Sequence, residues 1–550
     1  MKSVEENNPN QVSRRSFIGT TAAGGAALLT GGLSSLFKTD AIAGSSFEFV
    51  EKTIPQLQAA MAAGQLTAKD LVQGYLNHIK QLNPTLHAVI ETNSNAVAIA
   101  TGLDNERKSG RVRGPLHGIP LLVKDNIGTK DNMQTTAGSL ALYGSRVPAD
   151  APLIQKLRAA GAIILGKANL GEWANFRDDE AETYPLAVGW SARGGSTNNA
   201  YDLSYTSWGS SSGSAAGAAA NLCAAAVGTE TDGSITGPSA VENIFGLKPT
   251  LGLISGDGIV PISHQQDTAG PMGRSVTDVA ILLGVMQNQQ MDYRPFLQRG
   301  ALAGKRIGRD TRYFDYSYYG SGIPGDEESV AFAEHALMVM HSLGATIVDC
   351  DTGDVFAYTS DEFTALLYEF RAQIADYLAT LTHTNMRTLA DLIAFNNSHC
   401  TQEMPYYDQD VFLLADQFPG YPNDPNYIAA RSHARSAAQT GIDNALQSQH
   451  LDAIVAPHLT NSTGPAVAGY PNFSMPVGIR SSGRPVGMLM YSTAGREAQL
   501  IAMAYDLEQA LNPRRQPQLL NSITPIPNGD FCNGHQSKGK AHLPHHGRIF

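Results

Sequence analysis

Apolar and polar positions along the chain switch repeatedly from helical to strand spacing, with a glycine at each switch. The apolar positions in 153–157 mark one helix face, Gly161 is placed to end that helix, and the apolar run 162–165 has the composition of a strand. The same order of helix, glycine and strand returns over 330–348, and 451–455 is a further short apolar strand. Such units in series predict an α/β fold, with a sheet covered by helices on both faces.

Two more segments add helices to this pattern. Residues 53–79 have helical spacing interrupted at Gly64, which predicts two short helices, and Pro84 is placed to stop the second. The alanine-rich segment 214–227 predicts a buried helix, because alanine has the highest helix propensity and leaves room for close packing. The apolar run 119–123, by contrast, leads directly into a lysine, Lys124.

The later part of the chain differs in composition. Residues 313–418 are helical and rich in aromatic side chains, and we interpret them as an insertion that either covers a cleft or packs as ordinary helices. Residues 525–550 are polar, with several glycines and histidines, and predict a flexible tail. The main domain is therefore expected over 44–524.

The first residues have the pattern of an export signal. The sequence SRRSFI at 13–18 is followed by a weakly apolar, glycine-rich run at 19–36 and by the small-residue motif AIA at 41–43. Paired arginines before such a run indicate a twin-arginine signal over 1–43, cleaved near Ala43. A membrane anchor fits less well, because a span needs about 20 apolar residues. We therefore expect a periplasmic or secreted protein with no stable membrane span after removal of the signal.

Composition narrows the possible partners. With 42% hydrophobic and 16% charged residues over 550 positions, the chain has the balance of a globular protein. The net charge of −11 argues against nucleic-acid binding, which favours an excess of lysine and arginine. The four cysteines (Cys223, Cys350, Cys400, Cys532) have no metal-binding spacing, and their pairing and the oligomeric state stay open.

One serine motif suggests an esterase. Residues 209–213 read GSSSG and satisfy G-x-S-x-G, which would make Ser211 the nucleophile of an α/β-hydrolase. That motif requires an apolar strand immediately before it, whereas NNAYDLSYTSW precedes it here. This esterase hypothesis is a poor match to the sequence, but it is one alternative.

A wider set of motifs gives a more specific result. In order, these are GIPLLVKDNI with Lys124, GSSSGSA with Ser210, GTETDGSITGPSA with Ser234, GLKPTLG, DTAGPMGRSVTD and AGYPNFSMPVG. Together they resemble the amidase signature family over about 54–511. Within that family, NFR, GWSARGG, LLYEFRA and LADLIAFNNSH make the chain most similar to the bacterial peptide amidases.

The resemblance implies a single large mixed β-sheet with helices on both faces, and a Ser-Ser-Lys triad. Ser234 would be the nucleophile, Ser210 the bridging residue, with the peptide bond before it cis, and Lys124 the base. The backbone N–H groups of Thr231, Asp232 and Gly233 would form the oxyanion hole. The resemblance implies neither a metal nor a cofactor.

The chemistry is consistent with these residue types. A serine hydroxyl is a weak nucleophile unless a base takes its proton, and lysine is a base only when neutral. Lowering the lysine pKa from ~10.4 to about 7 corresponds to roughly 4–5 kcal/mol, which burial can supply. The apolar run before Lys124 favours such burial. A hydroxyl at Ser210 could relay the proton from Ser234 and return it to the leaving amine.

The sequence departs from the family near the nucleophile. Glu230 and Asp232 replace an aspartate and a glycine, and Thr236 stands where arginine is usual. The missing arginine removes an expected ion-pair partner of Glu230, and leaves the local charge balance open.

We interpret the chain as an amide hydrolase that forms an acyl-enzyme, with C-terminal peptide amides or related small amides as the expected substrates. The alternatives are the esterase that uses Ser211, a glutaminase like the one in the tRNA-dependent amidotransferases, and an amidase-like protein that binds without catalysis.

Overall fold

The computed structural model describes residues 48–178, 185–289, 291–315, 326–529 and 531–532. The chain divides into a first unit, Met1–Lys38, and a second, Thr39–Phe550. Residues 1–43, where the export signal is predicted, lie outside the described residues, so everything below concerns the second unit.

Within the described residues, eleven strands form one sheet. Their bounds are β1 Val89–Thr92, β2 Pro120–Lys124, β3 Ile163–Ala168, β6 Ala225–Glu230, β7 Phe245–Lys248, β8 Thr268–Gly273, β9 Arg306–Asp310, β10 Thr346–Cys350, β11 Ala453–Pro457, β12 Asn472–Ile479 and β13 Pro485–Tyr491. Two short strands, β4 Trp190–Ser191 and β5 Gly195–Ser196, pair separately with each other.

The sheet order is β1-β3-β2-β6-β8-β7-β12-β13-β11-β9-β10. Strands β3, β2 and β6 are parallel, as are β11, β9 and β10, whereas the strands between these groups pair antiparallel. The sheet is therefore mixed, as the resemblance implied. Parallel neighbours end at the same edge, which brings the ends of β2 and β6 together.

Helices pack on both faces of this sheet. Their bounds are α1 Ile54–Ala62, α2 Ala68–Leu86, α3 Ala96–Lys108, α4 Pro152–Ala159, α5 Ser212–Ala219, α6 Thr236–Val241, α7 Val276–Met286, α8 Thr311–Phe314, α9 Glu327–Ser342, α10 Thr359–Thr380, α11 Leu389–Ser398, α12 Cys400–Glu403, α13 Asp410–Ala415, α14 Pro425–Ser448, α15 Thr463–Ala468 and α16 Glu497–Leu511. Among the described residues, none of the helices combines the length and apolarity that crossing a membrane requires.

The predicted helix–glycine–strand units are present. Helix α4 is followed by Gly161 in a left-handed conformation (φ +85°) and by β3, and α9 is followed by Gly344 (φ +94°) and β10. The sheet prediction, α/β with helices on both faces, is confirmed.

Two local predictions were wrong. Helix α2 continues through Pro84 to Leu86, because a proline disturbs the turn before it and does not prevent the next residues from staying helical. The helix ends where His87 adopts a left-handed conformation (φ +51°). The alanine-rich segment 214–227 is not one helix, since α5 ends at Ala219 and residues from Ala225 onward form β6. Pairing of β6 between β2 and β8 outweighs the helix propensity of its alanines.

Helix α5 approaches the sheet closely because its residues are small. A Cβ on Gly213 would lie 2.3 Å from the carbonyl oxygen of Ala88 and 2.5 Å from the backbone nitrogen of Asn169. No larger residue fits there without moving the backbone. This contact fixes the start of α5, and with it the serines at 210–211 that precede the helix.

The aromatic helical region packs against the segment that follows β3. Phe176 lies edge-on to Phe370 of α10, with ring centroids 5.1 Å apart, and Trp173 lies edge-on to Phe412 of α13 at 5.7 Å. All four rings are buried in one apolar cluster. Helices α10 and α13 thus form a wall beside the segment that follows β3.

Cys400 and Cys532 form a disulfide, with Cα atoms 5.7 Å apart and a separation of 132 positions in sequence. Cys223 and Cys350 are buried free thiols. The backbone N–H of Gly529 also donates to the carbonyl oxygen of Pro405 at 2.8 Å. The described start of the predicted tail is therefore attached to the helical region.

Candidate active site

Lys124 is the last residue of β2, and its side chain is fully buried. Its Nζ donates to Ser210 Oγ at 2.7 Å, to Thr229 Oγ1 at 3.0 Å and to the carbonyl oxygen of Thr229 at 3.2 Å. Thr229 belongs to β6, the parallel neighbour of β2, so the sheet itself brings the lysine and the threonine together. All three acceptors are uncharged.

Burial lowers the pKa of Lys124 from 10.5 to about 7, and the more distant carboxylates of Asp267 and Glu230 oppose that shift only in part. No carboxylate of the described residues lies within ion-pair distance of its Nζ. The amine is therefore partly neutral near pH 7, which is the condition that a lysine base requires.

Ser210 connects this lysine to the second serine. It is fully buried, and its Oγ lies 2.7 Å from Lys124 Nζ and 3.0 Å from Ser234 Oγ. The Gly209–Ser210 peptide bond is cis, and the carbonyl oxygen of Ser210 accepts from the N–H of Gly171 at 3.0 Å. The three predicted side chains thus form one continuous hydrogen-bonded line.

Ser234 lies at the outer end of that line. Its exposed fraction is 8%, against 0% for both Ser210 and Lys124, so of the three it is the one that solvent reaches. Its carbonyl oxygen accepts from the N–H of Ser211 at 3.1 Å, which ties the 231–234 loop to the start of α5.

Ser211 has a different environment from that of an elbow nucleophile. Its Oγ is fully buried, donates to the carbonyl oxygen of Thr229 at 3.0 Å and accepts from the Thr229 N–H at 3.2 Å. No strand of the described residues runs directly into Gly209. The G-x-S-x-G motif therefore lacks the strand–turn–helix arrangement on which the esterase hypothesis depends.

The loop at 231–234 presents a row of free backbone donors. In the described part of the chain, no acceptor faces the N–H of Thr231, Asp232, Gly233 or Ser234. Gly233 has φ +74°, in the left-handed region that favours glycine. Unoccupied N–H groups beside a reachable hydroxyl provide the donors that an oxyanion hole requires.

The structure shows what holds the Glu230 carboxylate, which has Thr236 nearby where the family usually has an arginine. Oε2 of Glu230 accepts from the N–H groups of Ile235 and Thr236 at 2.7 and 2.8 Å, and from Thr236 Oγ1 at 3.1 Å. The carboxylate is held by three neutral donors rather than by an ion pair. Thr236 therefore supplies local hydrogen bonds at the position where arginine is usual.

The Asp232 side chain is buried beside the loop. Burial, together with the nearby Glu362 carboxylate, raises its pKa well above the ordinary value. The Ser462 and Thr463 hydroxyls oppose this in part, although neither reaches hydrogen-bonding geometry. Burial therefore favours the uncharged form of this carboxyl group beside the free N–H groups.

Sequence reasoning missed three residues that hold the site. Thr229 accepts from Lys124, Asp267 Oδ1 accepts from Thr231 Oγ1 at 2.6 Å, and Gln266 Nε2 donates to the carbonyl oxygen of Thr231 at 3.1 Å. Asp267 begins the DTAGPMGRSVTD motif and Gln266 directly precedes it, but nothing in the sequence relates that motif to Thr231. Burial raises the pKa of Asp267 to about 6.

Open space adjoins the loop on this side. A cavity that opens to solvent is lined by Thr229, Thr231 and Asp267, by Asn126, and by the apolar side chains of Val260 and Ile262. Ser234 itself is not among its lining residues. Over the described ranges, no three His, Cys, Asp or Glu side chains are grouped as a metal site would need.

The two histidines near the motifs are not placed as bases. Burial lowers the pKa of His458 to about 3, and its Nδ1 accepts from the N–H of Gly487 at 3.2 Å, so it is a neutral part of the core. The His264 side chain is exposed and lines the cavity.

A buried lysine hydrogen-bonded through one serine to a second, on a single mixed sheet, is an arrangement that suits a serine hydrolase. Comparison with known proteins agrees. The family model described as Amidase matches residues 70–466. A probable amidase of Arabidopsis thaliana is 37% identical over 494 residues, covering 86% of this chain and 93% of the relative. A glutamyl-tRNA(Gln) amidotransferase subunit of Halorhodospira halophila is 30% identical over 504 residues, covering 85% and 98%.

Among solved structures, the native peptide amidase of Stenotrophomonas maltophilia is 43% identical with a TM-score of 0.79, covering 86% of this chain and 99% of that one. The chain belongs to the amidase family. It is an amide-hydrolysing enzyme with the amidase signature fold, as the sequence predicted.

Proposed function

We propose that this enzyme removes the amide group from the C-terminus of peptides through an acyl-enzyme formed on Ser234. The observation that carries the mechanism is the line Lys124–Ser210–Ser234, with links of 2.7 and 3.0 Å. The preference for peptide amides rests on similarity to the peptide amidase of S. maltophilia, at 43% identity against 30% for the amidotransferase relative.

In the acylation step, Ser234 Oγ attacks the amide carbonyl carbon as its proton passes to Ser210 Oγ. The proton of Ser210 passes to the neutral amine of Lys124, so the base becomes charged as the substrate oxygen becomes negative. The free N–H groups of the 231–234 loop would stabilise that oxyanion, each by about 2.7–4 kcal/mol.

Collapse of the tetrahedral intermediate breaks the C–N bond. The proton returns from Lys124 through Ser210 to the leaving nitrogen, which departs as ammonia and leaves an ester on Ser234. Water then attacks the ester along the same route, and the products are a peptide carboxylic acid and the free serine. Neither step needs a metal or a redox group.

A panel of matched substrates tests the proposal. We expect ammonia release from an N-acetylated dipeptide amide to exceed release from free glutamine and from simple aryl amides by at least about tenfold in kcat/KM, since that ratio corresponds to about 1.4 kcal/mol of transition-state binding. Ammonia is measured by a coupled assay, and the peptide acid by mass spectrometry. The same dipeptide without the C-terminal amide is the control.

Each alternative result has a clear meaning. Ammonia from non-peptidic amides alone would remove the peptide-amidase proposal and leave an amidase of other specificity. Preference for glutamine would favour the glutaminase alternative. Ester hydrolysis without any amide hydrolysis would restore the esterase hypothesis.

We propose in addition that the enzyme is exported by the twin-arginine route and that residues 1–43 are removed. The support is the signal pattern at 13–43 and the Cys400–Cys532 disulfide, because structural disulfides persist mainly in oxidising compartments.

Expression in a bacterial host tests this. We expect the periplasmic fraction to contain a protein that begins at Gly44. After unfolding, the thiols of Cys223 and Cys350 should react with a thiol reagent, whereas Cys400 and Cys532 should react only after reduction. Replacing Arg14 and Arg15 with lysine should retain the chain in the cytosol, since the paired arginines are what the route reads. An unprocessed wild-type chain found only in the cytosol would contradict the proposal.

A further inference from the structure

Gln266 is a buried side chain whose amide is hydrogen-bonded on both sides. Its Nε2 donates to the carbonyl oxygen of Thr231 at 3.1 Å and to Glu362 Oε1 at 2.5 Å, while its Oε1 accepts from Arg431 Nη1 at 2.8 Å. The exposed fraction of Gln266 is 1%. These contacts join the nucleophile loop to α10, which carries Glu362, and to α14, which carries Arg431.

The orientation of this amide is chemically determined. Guanidinium nitrogens only donate hydrogen bonds, so the atom of Gln266 that faces Arg431 must be the oxygen. The NH₂ group must then face the Thr231 carbonyl oxygen, which only accepts. Arg431 is itself fixed, because its Nε and Nη2 donate to the two carboxylate oxygens of Glu369 at 2.9 and 2.6 Å.

Fixing the Thr231 carbonyl also fixes the next N–H. The peptide bond between Thr231 and Asp232 is trans, so its C=O and N–H point in opposite directions. A donor that holds the Thr231 oxygen from one side directs the Asp232 N–H to the other. That N–H is among those with no acceptor in the described part of the chain.

Thr231 is held at a second point. Its Oγ1 donates to Asp267 Oδ1 at 2.6 Å, and Asp267 Oδ2 accepts from the N–H groups of Ile262 and Ser263 at 2.8 and 2.9 Å. With side chain and carbonyl both bound, the peptide plane cannot rotate without breaking one of these contacts.

We propose that Gln266 is a positioning residue for the reaction: it orients the Thr231–Asp232 peptide so that the Asp232 N–H serves the oxyanion, and it ties that orientation to α10 and α14. The inference rests on the proposed function, since it assigns a task to the same loop. Gln266 is buried and is not among the residues that line the cavity, so its effect should be confined to states in which the carbonyl carbon is tetrahedral.

The test compares Gln266→Met with Gln265→Met in the full chain. Gln265 is the matched control, because it is the neighbouring residue of the same type and no side-chain hydrogen bond joins it to other described residues. We expect Gln266→Met to lower kcat by about 10- to 100-fold with KM within about twofold, less than the 10²- to 10³-fold typical of removing an oxyanion donor outright.

Two inhibitors separate positioning from general damage. A peptide aldehyde adds to the serine and forms an oxyanion, whereas the corresponding peptide alcohol does not. We expect Gln266→Met to lower the affinity for the aldehyde by the same factor as it lowers kcat, and to leave the affinity for the alcohol unchanged. The reason is that only the aldehyde adduct uses the Asp232 N–H group. If that variant does not fold, Gln266→Glu is compared in the same way, since it keeps the volume and the acceptor for Arg431.

The outcomes are distinguishable from failure of the proposed function. A wild-type enzyme that is inactive on every peptide amide would contradict the proposed function. The inhibitor test would then use the aldehyde and the alcohol that correspond to whichever amide the enzyme does hydrolyse. Equal weakening of aldehyde and alcohol, or a Gln266→Met enzyme indistinguishable from Gln265→Met, would overturn the positioning assignment alone.

Discussion

Ser234→Ala is expected to reduce amide hydrolysis by about 10⁴-fold or more, since loss of a serine nucleophile removes the covalent route entirely. Ser211→Ala, at the start of α5, is expected to retain activity within about tenfold. Among the described residues its Oγ bonds only the backbone of Thr229, so the change should appear as about 1–3 kcal/mol of lost stability.

Initial rates with a peptide amide and thermal denaturation of both variants provide the comparison. Mass spectrometry of the wild type quenched during turnover should find the acyl group on Ser234. Labelling of Ser211, or an inactive Ser211→Ala enzyme beside an active Ser234→Ala enzyme, would reverse the assignment of the two serines.

Lys124→Met is expected to lower kcat/KM by about 10²- to 10⁴-fold, the usual contribution of a general base. Burial sets the pKa of Lys124 at about 7, and the neutral amine is the active form. Wild-type kcat/KM should therefore rise with pH, reach half its maximum near pH 7 and be lost below it as the amine is protonated. The variant should lack this acidic limb.

Lys167→Met is the matched control for that experiment. Lys167 is a second fully buried strand lysine, with a pKa lowered to about 8, but its Nζ bonds Ile127 and Thr135 rather than a serine. Its replacement is expected to change stability while the acidic limb near pH 7 persists. Loss of the limb in Lys167→Met, or its survival in Lys124→Met, would contradict the role proposed for Lys124.

Local pattern was enough for much of the fold. The units at 153–165 and 330–348 became α4–β3 and α9–β10, because amphipathic spacing and a left-handed glycine act within a few residues of each other. The helix prediction for 214–227 was wrong because the conformation there depends on distant strands. The alanines of this segment favour a helix, but the space between β2 and β8 accepts a strand of small residues, and only the assembled sheet contains that space.

The candidate site was likewise predicted in part by the sequence and settled in part by the tertiary structure. Motif order identified Lys124, Ser210 and Ser234, and the apolar run before Lys124 indicated a buried amine. The distances among them, and the neutral partners around the amine, required the parallel pairing of β2 with β6.

What the sequence by itself determined was the class of fold, the family and the three side chains of the line. The tertiary structure alone decided that Cys400 pairs with Cys532, and that Thr231 is held by Gln266 and Asp267. The physical reason is range. Helix and strand preferences act between near neighbours, whereas these contacts join positions 35 to 132 residues apart. Pairing of β6 with β8 brings Thr231 to Gln266 and Asp267, and packing of the chain near Gly529 against the helical region brings Cys532 to Cys400.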